Sequence, residues 1–485
     1  MSRNDSSKRF VREILAMLIT SEACPNTSTM QRTVIISFPR NKSESSVQKL
    51  QVCLLTILMF CCVAGPAAAQ NKIVTKTPEG LREESTYSII PFTFYNELLQ
   101  FAVGGAVSAK GVLQDQLLGQ ITVTGSSNGS FFTIFKVEDV RLPFSNRLFM
   151  SSRLYGGTFG KIDYFKGVNP DFPQEVAGSN ESDVDNFQEA KGEDFDISLK
   201  FRYLLPVGHG RGDPVARIVL ENGILVEGQT GAQGWHPFSS GRTFFEVNPF
   251  FRSQQLVSDA SGDFEIKTSG LTFGLIYDNT DFSENPSRGS YKKAAFSKDW
   301  GELGSSHPWE SVEFEYAKFF NLGRGAKTRQ RVLAFSFWTA HALTWNDFEE
   351  DSEGNRIYQR PPNHKGSRLG GIERMKGFAE SRFSDRSAIY YSVEYRHIPT
   401  WNPFGRRRIL GNTVDVSWFQ FVAFADLGRV APEWNLSTLH EEMKWNVGVG
   451  IRTWINNILT RVDIGYSSEG VGVQMSIEHP FPSTQ

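Results

Sequence analysis

Hydrophobic and polar residues alternate one for one along most of this chain. Ile389, Tyr391, Val393 and Tyr395 make one face of a strand whose other face is Tyr390, Ser392, Glu394 and Arg396. Trp445, Val447, Val449 and Ile451 alternate with Asn446, Gly448, Gly450 and Arg452. Val471, Val473, Met475 and Ile477 alternate with Gly472, Gln474, Ser476 and Glu478. Period two predicts strands, and no long stretch shows the 3.6-residue period of a helix. In a soluble sandwich the apolar face packs inward, whereas in an outer-membrane barrel it turns to lipid and the polar face lines a wet lumen. Three features favour the barrel. Glu394, Arg396, Arg452 and Asp463 place charge deep within strands. The candidate strands run about 10–13 residues, the length of a tilted crossing. Tyr, Trp and Phe gather near strand ends, as interfacial girdles do. A closed sheet also satisfies every backbone group in lipid without helices.

Sixteen strands are expected, near 98–110, 115–125, 130–140, 146–156, 195–205, 214–228, 242–255 and 265–277 in the first half. The second half gives 290–300, 309–320, 329–345, 385–397, 414–426, 443–455, 459–467 and 470–481. The expected fold is all-β, a 16-stranded antiparallel transmembrane β-barrel over 95–485, with both ends periplasmic. A short periplasmic segment, 70–94, precedes it. Two connections are too long for turns. Parity puts the acidic 157–194 on the periplasmic side, where turns are normally short, and 346–384 outside.

The 485 residues carry 51 Lys+Arg against 53 Asp+Glu, a balance that excludes a strongly basic nucleic-acid binder. The 13% of aromatic residues argues against disorder. No run of 20 apolar residues follows residue 70, so a helical membrane protein is excluded for the rest of the chain. Cys24, Cys53, Cys61 and Cys62 are the only cysteines, which leaves no disulfide, thiolate metal site or cysteine nucleophile beyond residue 62. Residues 50–70 are uncharged; Lys42 and Lys49 precede them, Cys53 to Val63 is apolar, and Ala67-Ala68-Ala69 supplies a cleavage site. Residues 1–69 therefore read as a leader with a secretory signal, Met30 being an alternative start. The rival reading is an uncleaved anchor, for which the apolar core is short.

Short motifs have plain readings. Gly125-Ser126-Ser127-Asn128-Gly129 matches a nucleophile elbow, but strand follows it rather than helix, so a tight turn is expected. Arg211-Gly212-Asp213 reads as a turn, and the eight histidines show no metal-ligand spacing. Arg406-Arg407-Arg408 falls in an expected periplasmic turn, where it faces solvent or lipid headgroups. No cofactor, metal site or enzymatic centre is expected.

Four segments carry a resemblance. Tyr277-Asp278-Asn279 is followed by Asn285-Pro286-Ser287-Arg288-Gly289-Ser290-Tyr291. Gly370-Gly371 leads into Met375-Lys376-Gly377-Phe378, Phe383-Ser384-Asp385 and Val393-Glu394-Tyr395-Arg396. Phe424-Ala425-Asp426-Leu427-Gly428-Arg429-Val430 is the third. The last is Gly448-Val449-Gly450-Ile451-Arg452, Val462-Asp463-Ile464-Gly465-Tyr466 and His479-Pro480-Phe481. In this order they resemble the carboxy-terminal barrel of the BamA/TamA outer-membrane assembly superfamily, the bacterial surface antigen family, clearly over 270–485 and weakly over 95–270.

The resemblance implies that the extracellular loop 346–384 folds back into the lumen. Its tip would be Lys376, Gly377 and Phe378, and its wall contacts Glu394, Asp426 and Gly428. It implies that Gly472, Met475, Ile477 and Phe481 form a carboxy-terminal assembly signal. Lys376 stands where the family carries arginine, so a point charge replaces a planar fork. Fewer than 30 residues separate Gln70 from the first expected strand, too few for the family's periplasmic POTRA module, and no patatin-like lipase domain is expected. The implied function is assistance of protein insertion into, or translocation across, the bacterial outer membrane. The implied partners are outer-membrane lipids, outer-membrane protein substrates and a separate periplasmic partner protein; no nucleic acid is expected. The alternative is a passive channel or structural barrel.

Overall fold

The alternation resolves into antiparallel strands closed into a barrel. The computed structural model describes residues 71–476, apart from 84, 97–98, 166, 170, 259–261, 351–355 and 410–411. The expected leader 1–69, and Ile477 and Phe481 of the expected assembly signal, lie outside the described residues. Barrel strands one to six are Thr86–Asn96, Gln100–Lys110, Leu118–Ser126, Phe131–Arg141, Leu148–Tyr164 and Gln188–Leu204. Strands seven to eleven are Arg242–Ser258, Gly262–Thr280, Gly289–Asp299, Trp309–Asn321 and Thr328–Ala342. Strands twelve to sixteen are Ser387–Pro399, Asn412–Ala431, Lys444–Ile455, Ile458–Ser467 and Gly470–Ser476. After a break at 400–404, strand twelve resumes as Gly405–Ile409 along the start of strand thirteen, so the Arg406–Arg408 run is strand rather than turn.

Burial is inverted relative to a soluble protein. Val447, Val449 and Ile451 are 45%, 60% and 49% exposed, whereas Asn446 and Arg452 are fully buried. The apolar faces form the lipid-contacting wall and the charged faces the packed interior.

The expected count of sixteen holds through two changes that cancel. The expected wall strand 214–228 is a hairpin, Ala216–Glu221 and Ile224–Glu227, set apart from the wall. Asn222 and Gly223 turn it, with φ of 48° and 72°, as a two-residue hairpin turn requires. The first wall strand is Thr86–Asn96, most of which lies in the segment expected to be periplasmic. Its Pro91 masked it, since proline weakens a strand reading. The one-strand shift moves the acidic connection. Residues 165–187 link strands five and six, on the same end as 343–386 between strands eleven and twelve, so the periplasmic assignment of this connection is corrected. With an even number of strands both barrel ends start and finish at one mouth, the periplasmic one, and the two long loops are extracellular.

At the periplasmic mouth lies a four-stranded sheet in the order Ile224–Glu227, Ala216–Glu221, Asn71–Thr77, Gly80–Arg82. Asn71–Thr77 runs parallel to Ala216–Glu221, pairing Asn71 with Ala216 through Lys76 with Glu221. No helix among the described residues is long and apolar enough to cross a membrane.

Candidate functional site: a lumen with a loop at one end and a sheet at the other

The interior changes character along the barrel axis, because the residues that alternate inward change. Towards the extracellular end, inward positions are polar: Tyr390 and Ser392 on strand twelve, Asp426 on thirteen, Asn446 on fourteen. All four are buried. Deeper in are charges, Glu394, Arg396, Arg452, Arg461 and Asp463, also buried. At the periplasmic end the same faces become apolar, with Ile398, Trp418, Trp454 and Leu459.

The extracellular loop enters the polar end. Its base is a short pairing of Arg368–Leu369 with Phe383–Ser384. Gly370 and Gly371, with φ of 109° and 92°, let the chain double back. The Gly371 N–H donates to the Phe378 carbonyl at 3.1 Å, and Met375 takes φ 60° at the tip. Lys376 is fully buried: its Nζ lies 3.2 Å from Asp426 Oδ2, 4.0 Å from Glu394 Oε1 and 4.3 Å from the centre of the Phe424 ring. Asp426 also accepts hydrogen bonds from Ser392 (2.6 Å), Asn446 (2.9 Å) and Tyr390 (3.1 Å). Glu394 accepts from Arg452 at 2.7 Å and Arg396 at 2.9 Å. Two carboxylates thus share the field of three cations, so neither is buried unpaired.

The tip's neighbours are glycines for a steric reason. A Cβ at Gly465 would fall 2.6 Å from the Gly377 nitrogen, and one at Gly472 would fall 2.5 Å from the Lys376 carbonyl oxygen. At Gly428 it would fall 2.9 Å from Leu369 and 3.2 Å from Met375. Gly472, expected in the assembly signal, therefore floors the loop tip. Met475 pairs opposite Val462 and is half-buried. The Ser467 hydroxyl donates to the Gly377 carbonyl at 2.8 Å, and the Phe378 ring packs on Phe383 at 5.2 Å. Arg374 points elsewhere: its guanidinium lies 3.8 Å over the Trp338 ring and pairs with Glu373 at 3.1 Å.

Arg382, which sequence reasoning missed, is fully buried and joins three segments. It donates to Glu469 at 2.9 Å, between strands fifteen and sixteen, and to the Ser182 carbonyl and hydroxyl at 2.7 and 2.9 Å. Ser182 lies in the acidic connection, which also receives the Ser384 N–H at the Gly178 carbonyl. Arg429 extends the tie to Glu181 at 2.8 Å. Nothing local marks Arg382, because its partners are 87 and 200 residues away.

The periplasmic end carries a sheet instead of a loop tip. Ile218, Leu220 and Ile224 of the mouth sheet pack on Phe282, Ile398, Trp418, Trp454 and Leu459. The Trp418 and Trp454 rings stack at 5.8 Å, and the Trp418 indole N–H donates to the Gly223 carbonyl at 2.8 Å. Arg329 holds the Asn222 carbonyl at 2.7 Å. On the far side Lys72 pairs with Asp115 at 3.0 Å, in the turn after strand two, and the Asn71 amide reaches Ser283 at 3.1 Å. The sheet is tied to turns on several sides of the mouth. Asn222-Gly223, an ordinary hairpin signal, was available in the sequence to reveal it.

Fold and interior together define an outer-membrane β-barrel with an internal loop. The Omp85 superfamily domain matches residues 227–474, slightly over half of the chain, and the chain belongs to that superfamily. Its place is the bacterial outer membrane. Among solved structures it is similar to BamA from Haemophilus ducreyi lacking POTRA domains 1-3, at 11% identity and TM-score 0.42, over 82% of this chain and 70% of that one. It is also similar to CdiB from Acinetobacter baumannii, at 11% identity and TM-score 0.41, over 82% of this chain and 61% of that one. CdiB from Escherichia coli matches at 10% identity and TM-score 0.46, over 81% of this chain and 60% of that one. No curated protein matches.

Proposed function

We propose that this barrel assists the insertion of proteins into, or their passage across, the outer membrane, receiving them from the periplasm with the help of a separate partner protein. The observation that carries the reading is a lumen occupied at both ends, by the loop tip on Asp426 and by the mouth sheet on Trp418 and Trp454. A passive channel is served by an open aqueous path, whereas a lumen holding a loop tip and faced by a mouth sheet suits work coupled to rearrangement. Lys376, Gly377, Phe378, Glu394, Asp426 and Gly428 are proposed as the contact that holds the loop in place. Depletion of the protein followed by proteomics of the outer membrane tests the reading. Loss of a defined set of outer-membrane proteins is expected; loss of small-solute uptake alone would assign a channel instead.

A further inference from the structure

We propose that the outer edge of Ile224–Glu227 is a docking strand for an extended, acidic polypeptide segment at the periplasmic mouth. This deepens the proposed function and rests on it, by naming the chemistry of the chain that approaches the lumen.

Ile224–Glu227 is the outermost strand of the mouth sheet and pairs on one side only. An edge strand presents backbone N–H and C=O groups to whatever lies beside it. The pair flanking the two-residue turn is Glu221 with Ile224, and the next is Leu220 with Leu225. Antiparallel ladders alternate bonded and non-bonded pairs, so the Leu225 backbone groups point away from the hairpin. The register then shifts, and Val226, 42% exposed, is the extra residue of a bulge.

That edge is one wall of a cleft of about 490 Å³, lined from Ile224 to Gln229 on one side and by the 281–288 turn and the 321–330 region on the other. Three arginines line it. Arg329 is fixed on backbone carbonyls. Arg288 lies 3.9 Å from Asp281 Oδ2 and donates to Gln229 Oε1 at 3.5 Å, yet its side chain is 57% exposed, and Arg324 beside it is exposed as well. Asp281 is nearly fully buried and accepts from the Ser287 hydroxyl and from the Ser287 and Arg288 N–H groups, so little of its charge reaches the cleft. Of the carboxylates lining the cleft, Glu227 is the one left in contact with solvent; Glu221, exposed on the paired strand, lies 3.6 Å from Lys76. The opening thus offers a backbone ladder beside a surplus of guanidinium, which suits an extended chain carrying carboxylates. A segment added there would touch the hairpin and the turns that hold it, and so act directly on the periplasmic closure.

The probe is a fluorescent eight-residue peptide alternating valine and glutamate, titrated into the full chain in detergent micelles and read by anisotropy. Saturable binding is expected. It should weaken about tenfold when every peptide amide is N-methylated, because the donor to the Leu225 carbonyl is lost and the methyl groups crowd the edge. The Arg288→Glu/Arg324→Glu double variant, with unaltered unboiled gel mobility, should prefer the valine–lysine peptide instead. Binding indifferent to N-methylation would reduce the site to simple anion capture and overturn the proposal, as would no binding at all. Should binding fail while depletion still removes a set of outer-membrane proteins, the docking strand falls and the proposed function stands.

Discussion

The two ends of this barrel differ in what stands at the centre of the contact. The extracellular one sets a single buried ammonium among carboxylates, hydroxyls and amides, on a tip fitted against Gly465 and Gly472 and flanked by an apolar cluster of Leu369, Met375, Phe378 and Phe383 with Trp338, Tyr390 and Val430. The periplasmic one is a face of aliphatic and indole groups, Ile218, Leu220 and Ile224 against Trp418 and Trp454, with one indole hydrogen bond. A buried ion pair recovers little more than the desolvation it costs, but it tolerates few geometries. Apolar contact stabilises in proportion to area and is less particular about position. The ammonium therefore specifies where the loop tip sits, whereas the mouth sheet is held by apolar contact with no buried charge at its centre. A loop that must leave and return to one register is better served by the first kind of contact, and a cover that must keep the mouth shut by the second.

Charge reversal at the tip should give the largest effect. In Lys376→Glu a third carboxylate would join Asp426 and Glu394 and Asp426 would lose its cation, Arg396 and Arg452 staying on Glu394; leaving a buried group unpaired costs about 3–5 kcal/mol. The loop should come out of the lumen, seen as new protease cleavage within 346–384 on intact cells. An uncut loop and normal assembly in that variant would show the tip contact to be dispensable. At the other end, Leu220→Ala deletes part of the apolar face and should cost about 2–4 kcal/mol. It should lower the temperature at which the unboiled gel form is lost, without exposing the loop. If Leu220→Ala also exposed the loop, the two closures would be one cooperative unit and the contrast would fail.

The barrel was legible because lipid inverts an ordinary pattern: Val447 and Val449 outward with Asn446 and Arg452 inward is readable from alternation alone. Inward-facing Glu394 was legible for the same reason, since a charge mid-strand has to face water or a partner, whereas Asp426 was reached through the family resemblance. The mouth sheet was misread because Ala216–Glu221 and Ile224–Glu227 together have the length of one wall strand. Only the weight given to Asn222-Gly223 separates the two readings. The tie from Arg382 to Ser182 and Glu469 could not be read at all, because which loops meet over a barrel depends on closure and not on neighbours in sequence.

A smaller effect is expected from Gly223→Ala. Gly223 holds φ 72°, and a Cβ there would meet the Trp418 and Trp454 rings at 2.8 Å. A left-handed residue that is not glycine costs about 1–2 kcal/mol, so the mouth should loosen without coming apart. Single-channel recording in planar bilayers should show brief openings more often than in the parent chain. Unchanged recordings would mean that the hairpin does not control the mouth.

The smallest effect should come from Lys376→Arg, and it separates charge from shape. The ammonium reaches Asp426 Oδ2 at 3.2 Å and Oδ1 at 3.5 Å, with Glu394 at 4.0 Å. A guanidinium keeps the charge and adds a planar pair of donors that matches a carboxylate. It is bulkier, and the backbone from its own carbonyl through Gly377 is pressed against Gly465 and Gly472. The gain in hydrogen bonding and the cost of fitting the larger group should nearly cancel, leaving a change within about 1 kcal/mol. Loop protection and outer-membrane levels should both match the parent chain. A variant as disrupted as Lys376→Glu would mean that the pocket is built to the shape of lysine, and that the outer closure depends on packing as much as on charge.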